Sequence, residues 1–205
     1  MKRGFSLVEM LVVIGIIAIL MSVTFGGYSV FLKHAQRAKL VELVDNAKTA
    51  LNLALQNQDA WPRTILAKGR GTGGDMDEDV GAALAVCKVM SLSSKRLDEA
   101  GGRRKLTGVD QLGVVDPWAQ AAIKRALASG SVSLSLKVPE GGTVADHRLR
   151  FAIDDDYDGI CTTPISVSGS GSARVRASAC VWAAGRDGRF GTKDDVYSWT
   201  QGQEE

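Results

Sequence analysis

Carboxylates supply most of the chemistry this sequence offers. Asp154-Asp155-Asp156-Tyr157-Asp158-Gly159 sets acidic side chains at alternate positions and closes on a glycine. Further on, Asp187, Asp194 and Asp195 stand among Gly185, Gly188 and Gly191. Such loops suit calcium, which takes six to eight oxygen ligands from flexible segments, and glycine lets backbone carbonyls turn inward. Asp154, Asp156, Asp158 and Gly159 match the start of an EF-hand loop, but its twelfth position is Ile165, which has no carboxylate to give. No helix pair flanks it, so a solvated hairpin turn is the plainer reading, with an ion as the alternative. A third acidic group, Asp75, Asp77, Glu78 and Asp79, precedes an apolar run from Val80 and reads as a helix N-terminus rather than a cation site.

Other reactive groups are sparse. Cys161 and Cys180 either join as a disulfide or stand as separate thiols; closing a loop of about 20 residues contributes roughly 3 kcal/mol. Cys87 reads as a buried helical residue. His34 and His147 sit in unrelated contexts, and no nucleophile-and-base signature accompanies them. An enzyme is therefore not expected. The formal charge of +2 and 6% aromatic content give no basis for nucleic-acid binding. Gly69-Arg70-Gly71-Thr72-Gly73-Gly74 is not read as a phosphate loop, since no apolar strand precedes it and no Gly-Lys-Ser/Thr closes it.

One carboxylate is out of place. Glu9 opens an otherwise apolar run, Met10 to Met21, that follows Lys2, Arg3 and Gly4-Phe5-Ser6-Leu7-Val8. With its flanks the run is long enough for a bilayer, which needs about 20 apolar residues, and Lys2 and Arg3 place the N-terminus in the cytoplasm. The rest then faces the oxidising side, where a disulfide persists. A charge inside a membrane helix is costly unless paired. Cutting after Gly4 would remove the charged leader, keep the helix, and leave an amine on Phe5 one turn from Glu9. In a stack of identical helices, Glu9 of one subunit then pairs with Phe5 of the next and sets register.

The elements that carry these groups follow from periodicity. Apolar residues at Phe31, Ala35, Ala38, Val41, Val44, Ala47, Leu51 and Leu55 continue the helix amphipathically, widened by Leu40, Leu43, Ala50 and Leu53, until Pro62 disfavours helix at Trp61. A helix over residues 6–58 is about 80 Å long. Gly26 and Gly27 are its weak point, or else permit close packing. Residues 62–79 read as an irregular connection and 97–106 as a surface loop. Strands are expected at 132–138, 148–153, 174–183 and 196–199.

The stretch from Gly4 to Glu9 resembles the prepilin signal of type IV pilins and type II secretion pseudopilins. Asp116-Pro117-Trp118 resembles the segment leading into the sheet of major pseudopilins, although Ala119-Gln120-Ala121-Ala122 replaces the usual sequel and leads into a short helix to Leu127. Residues 184–199 resemble their C-terminal calcium loop, with paired Asp before a final Trp. The resemblance implies an α+β pilin fold: a long N-terminal helix, membrane-spanning in its first half, on a small antiparallel sheet with a C-terminal calcium loop. It implies a leader at 1–4, a membrane and filament-core helix at 5–29, and a periplasmic domain at 30–205. It further implies cleavage after Gly4 by a prepilin peptidase, methylation of Phe5, Glu9 as the assembly residue, and calcium held by Asp187, Asp194 and Asp195. The expected protein is a structural subunit of a type II secretion pseudopilus, single-pass in the bacterial inner membrane. Its partners would be its own copies, an assembly platform and minor pseudopilins. The alternatives are a type IV pilin for adhesion, motility or DNA uptake, and a calcium-dependent binding module on a pilin-type anchor.

Overall fold

The structure is a computed structural model that describes residues 7–86, 112–127, 132–168 and 171–200, with side chains outside 23–30, 82, 85 and 86. Helix α1 runs unbroken over Leu7–Gln58, as the periodicity predicts. Asp59 ends it by adopting φ 52°, a left-handed conformation that short acidic side chains tolerate. The chain divides into two compact units, Met1–Ala38 and Lys39–Glu205.

Within the second unit α1 buries Leu40, Val44, Ala47, Ala50, Leu51 and Ala54. This stripe is rotated from the expected one. Val41 and Leu53 are 41% and 39% exposed, and Leu40 takes the inward place that the spacing gave to Val41. Residues 62–79, expected to be irregular, instead contain α2 (Arg63–Gly69) and the short strand β1 (Gly74–Asp75). Ile65 anchors α2 in the core, and Leu66 N–H bonds the Pro62 carbonyl at 2.9 Å. The Gly-rich run serves close approach of backbones. Gly73 has φ 81°, and a Cβ there would lie 2.2 Å from the Phe151 carbonyl oxygen. Helix α3 (Glu78–Val86) begins at the acidic group, where Asp77 Oδ1 accepts the Val80 N–H at 3.3 Å. Cys87 and the loop at 97–106 lie outside the described residues.

Helix α4 (Pro117–Leu127) starts at Pro117, two residues earlier than the sequel to Trp118 suggested. Asp116 is its N-cap: Oδ1 accepts the Ala119 N–H at 2.8 Å, and proline is preorganised for the first helical position. Asp116-Pro117-Trp118 therefore opens a helix and not a strand.

Strands β2 (Arg150–Ile153), β5 (Ala179–Ala183) and β6 (Val196–Tyr197) join β1 in an antiparallel sheet of order β1-β2-β5-β6. Strands β3 (Ile160–Thr163) and β4 (Ala173–Arg176) form a separate hairpin. The expected strand at 174–183 is thus two strands serving two sheets. The burial pattern explains the split: β4 alternates buried and exposed, whereas every residue of β5 is buried. Ala179, Val181 and Ala183 enter the main core with Leu40, Val44 and Leu51. Cys180 and Trp182 enter a second core with Cys161, Val175 and Trp199. The sheet is covered on both faces, by α1 and by the hairpin.

Residues 132–138 form no strand. They fold into a bridged loop in which Val138 N–H bonds Gly142 O at 3.1 Å and Val144 N–H bonds Leu136 O at 2.9 Å. The alternation still sets burial, with Leu134 and Leu136 packed against the core and Ser133, Ser135 and Lys137 exposed. The fold is α+β: a long N-terminal helix followed by antiparallel sheets.

Candidate functional site

The second unit carries its chemistry in loops at the strand ends. Strands β5 and β6 are joined by the C-terminal loop, residues 184–195. Asp195 is buried and works as its hub. Oδ2 accepts the Gly191 N–H (2.7 Å), the Thr192 N–H (3.3 Å) and the Tyr197 hydroxyl (2.9 Å). Oδ1 accepts the buried Gly185 N–H (3.3 Å) and the Thr192 hydroxyl (3.0 Å). Asp194 Oδ2 accepts the Arg186 N–H at 2.5 Å and the Asp187 N–H at 3.4 Å, and Oδ1 accepts the Thr192 hydroxyl at 2.6 Å. Burial alone would raise the Asp194 pKa, but these donors outweigh it and hold the carboxyl below its usual value. Asp187 is more lightly used, with Oδ1 on the Arg189 N–H at 2.9 Å. Phe190 docks the loop under the Arg150 guanidinium, 4.2 Å away, and Arg150 is also paired with Asp75 of β1.

The three carboxylates expected to hold calcium lie on one loop, and their oxygens are of the chemical kind that calcium takes, but their ligand atoms do not all converge within 4.8 Å of one another. The Asp195 oxygens are taken up by N–H and hydroxyl donors, whereas Asp187 has capacity left. Among the described residues, three carboxylates bring ligand atoms within 4.8 Å of one another only at Asp154, Asp156 and Asp158. There Asp154 is buried and accepts N–H bonds from Asp158 (3.1 Å) and Gly159 (2.8 Å). Burial first, then Asp156 beside it, pushes the Asp154 pKa up. This turn is moored to the segment that follows α1, since Trp61 Nε1–H donates to the Asp154 carbonyl at 2.7 Å.

Cys161 and Cys180 are free thiols, both buried in the second core. Cys161 donates to the Ala177 carbonyl at 2.9 Å. Contact with Cys180, and burial after it, push the Cys161 thiol far up. Cys161 lies between the strands expected at 148–153 and 174–183, and belongs to a further strand, β3, opposite Val175.

Sequence reasoning missed Asp116 and His147 as a pair. Asp116 N–H bonds His147 O at 3.0 Å, and Leu149 N–H bonds Val114 O at 2.9 Å. This pairing sets the two side chains together, both 0% exposed, with Nδ1 2.5 Å from Asp116 Oδ2. His147 Nε2 faces the Gly141 carbonyl at 2.9 Å. No local spacing announces a pair 31 residues apart.

Gly4 and Phe5 lie outside the described residues. Glu9 lies in the first turn of α1. Around it Leu7, Val8, Leu11, Ile14 and Ile19 are 81%, 67%, 65%, 65% and 66% exposed. Among the described residues no helix is long and apolar enough to cross a membrane; the described apolar side chains of this stretch end at Met21.

Residues 1–25 match the family described as the prokaryotic N-terminal methylation motif. The chain is 28% identical over 76 residues to a fimbrial protein of Neisseria meningitidis serogroup B, covering 37% of this chain and 45% of the relative. It is 29% identical over 69 residues to a type IV major pilin protein of Neisseria gonorrhoeae, covering 34% and 41% respectively. The chain therefore spans less than half the length of the curated relatives it matches. No solved structure matches. The chain thus carries the N-terminal methylation motif, runs from it into a long helix, and is similar over part of its length to type IV pilins.

Proposed function

We propose that this chain is a structural subunit of a type II secretion pseudopilus, not an enzyme. A prepilin peptidase cuts after Gly4, Phe5 becomes the methylated N-terminus, and the first half of α1 anchors the subunit in the inner membrane before assembly. The domain that follows is periplasmic. Growth of the filament, with minor pseudopilins and an inner-membrane platform as partners, then drives export of folded proteins. The observation that carries this reading is the matched motif running directly into α1, whose apolar side chains from Leu7 to Met21 are exposed and need either lipid or neighbouring helices. Glu9 is the one charge among them and serves register.

The pseudopilus is favoured over a type IV pilus by the C-terminal loop, where Asp194 and Asp195 precede Trp199. The likeness to Neisseria pilins favours the second reading, a pilus subunit. Calcium on the C-terminal loop, with Asp187, Asp194 and Asp195 as its side-chain ligands, is part of the proposal; it would add to a loop already closed by its own hydrogen bonds.

The test is assembly of a Glu9→Val variant, with processing after Gly4 followed separately by mass. The expected result is a correctly processed, membrane-held subunit that no longer enters filaments. Normal assembly of Glu9→Val would overturn the role of Glu9. Co-expression with a pseudopilus platform or a pilus platform then decides which filament forms.

A further inference from the structure

His147 is sealed from solvent, and both of its ring nitrogens face oxygen. Gly141 O can only accept, so Nε2 carries a proton. Nδ1 lies 2.5 Å from a carboxylate oxygen, which requires a second proton between them. Burial alone would lower the imidazole pKa; the Asp116 carboxylate and the Gly141 carbonyl reverse this and hold it above its usual value. Burial likewise pushes the Asp116 carboxyl above its usual value, so the pair holds two protons, one on Nε2 and one shared between Nδ1 and Oδ2. Its geometry rules out a general base, since neither nitrogen is open to a reactant.

The pair also lies under a junction of loops. Gly188 has φ 66°, and a Cβ there would lie 2.8 Å from His147 Nε2. Gly141 has φ 150°, and a Cβ there would lie 2.7 Å from the Asp187 carbonyl oxygen. The C-terminal loop thus rests with bare backbone on the imidazole edge and on the residue that the imidazole holds. Losing one proton leaves a lone pair facing either Asp116 or Gly141. The charge-assisted bond to Asp116 is the stronger, so the Gly141 contact gives way first.

We propose that Asp116, His147 and Gly141 form a proton-dependent latch that seats the C-terminal loop on the 138–147 loop. Because the folded pKa of His147 is raised, the latch is complete below about pH 6.5 and is lost as pH rises through the folded value. The charged groups around it are accounted for. Asp146 accepts the Thr143 N–H and hydroxyl and favours the imidazolium. Arg148 donates to the Leu112 carbonyl and Arg150 to Asp75. Asp187 of the C-terminal loop accepts the Arg189 N–H. Helix α4 contributes Asp116 at its start, with Lys124 and Arg125 in its last turn.

Trypsin reads the latch directly, because Arg186, Arg189 and Lys193 are exposed cleavage points within the loop. The full chain in detergent, with chelator present throughout, is digested between pH 6 and 9.5 and compared with a free peptide covering 184–195. Wild-type cleavage relative to the peptide should be flat at the acid end. It should then rise by up to about tenfold per pH unit from about pH 6.5 to the folded pKa and level off above it, the signature of one linked proton. Asp116→Asn keeps the oxygen that caps α4 but removes the charge that raises the folded His147 pKa, so the rise should end at lower pH and be smaller. His147→Gln should show no rise. Wild-type cleavage that follows the peptide at every pH, or a rise unchanged in both variants, overturns the latch. Should the variants misfold, ring-nitrogen NMR of wild type decides: two protonated nitrogens on His147 at pH 7 support the latch, and one bare nitrogen overturns it.

Discussion

Asp195→Ala is the sharpest probe of how the C-terminal loop is held. The carboxylate is 6% exposed and accepts five hydrogen bonds. In the variant, water can reach Gly191 and Thr192, which are not buried, whereas the Gly185 N–H is buried and left without its acceptor. Stranding a buried donor costs about 1–3 kcal/mol, and each replaceable bond about 0.5–1.5 kcal/mol. A total loss of about 3 kcal/mol follows if two of the outer bonds count fully. For a unit of this size each kcal/mol shifts Tm by about 2–4 °C, so the melt should fall by about 6–12 °C. Near-UV circular dichroism of the full chain in detergent is the assay, since Tyr197, Trp182 and Trp199 pack together beside the loop. Asp195→Asn should be nearly as damaging, because its amide presents N–H groups to N–H donors. A shift below about 2 °C for Asp195→Ala would refute the hub. Calcium is read in the same melt. Asp187→Asn keeps the acceptor for Arg189, so it should leave the chelator melt unchanged while removing any calcium-dependent increment. An increment that persists in Asp187→Asn would move the ion away from this loop.

Acid and oxidation test the neighbouring groups. The Asp194 pKa is lowered in the folded state, so its contribution is present above about pH 3.9 and is lost as pH falls through the folded value. Wild type should therefore show an acid limb in Tm that Asp194→Asn flattens; an identical limb in both would count against the Thr192 and Arg186 bonds as its source. Cys161 and Cys180 should form a disulfide when a disulfide-bearing oxidant accepts their electrons, its own disulfide ending as two thiols. Peptide mapping without reductant should show the cross-link, with a gain of about 3 kcal/mol from the closed loop. Free thiols after such treatment, detected by alkylation in denaturant, would show that their packing does not permit a bond.

The helices were legible because their signals are local. Phe31 to Leu55 carries helical spacing behind an uninterrupted apolar run, and the acidic residues before Val80 mark a helix start that Asp77 caps. Asp116-Pro117-Trp118 was instead read as the way into the sheet, because its resemblance outweighed the cap chemistry of an Asp before Pro. The stripe on α1 was misplaced because small residues occupy so many positions that Leu40 and Val41 are equivalent by spacing; the sheet decides between them. Helix α2 was hidden because one buried Ile65 cannot outweigh the glycines around it. Residues 132–138 show the converse case. Their alternation was read correctly as burial, yet a strand also needs a partner, and partners are not written in the strand itself. The same limit hid His147 and Asp116, which meet only because Val114 to Asp116 runs beside 147–149.

The sheet covered on both faces bears on how this unit works. A half-exposed sheet could offer a broad binding face, but β5 has none: its odd residues meet α1 and its even residues meet the hairpin and Trp199. The loops likewise spend their carboxylates on their own N–H groups, at Asp194 and Asp195 as at Asp154. Polar groups turned inward make a domain that holds its shape and leaves recognition to its surface. The exposed apolar side chains are concentrated instead in α1, from Leu7 to Met21. That division fits the proposed subunit, whose association would be driven by one helix. It also makes a direct demand. Substitutions that loosen the C-terminal loop, such as Asp195→Ala, should lower Tm without preventing processing after Gly4, whereas Glu9→Val should block assembly without lowering Tm. If Glu9→Val lowered the melting temperature of Lys39–Glu205, the two roles would not be separable.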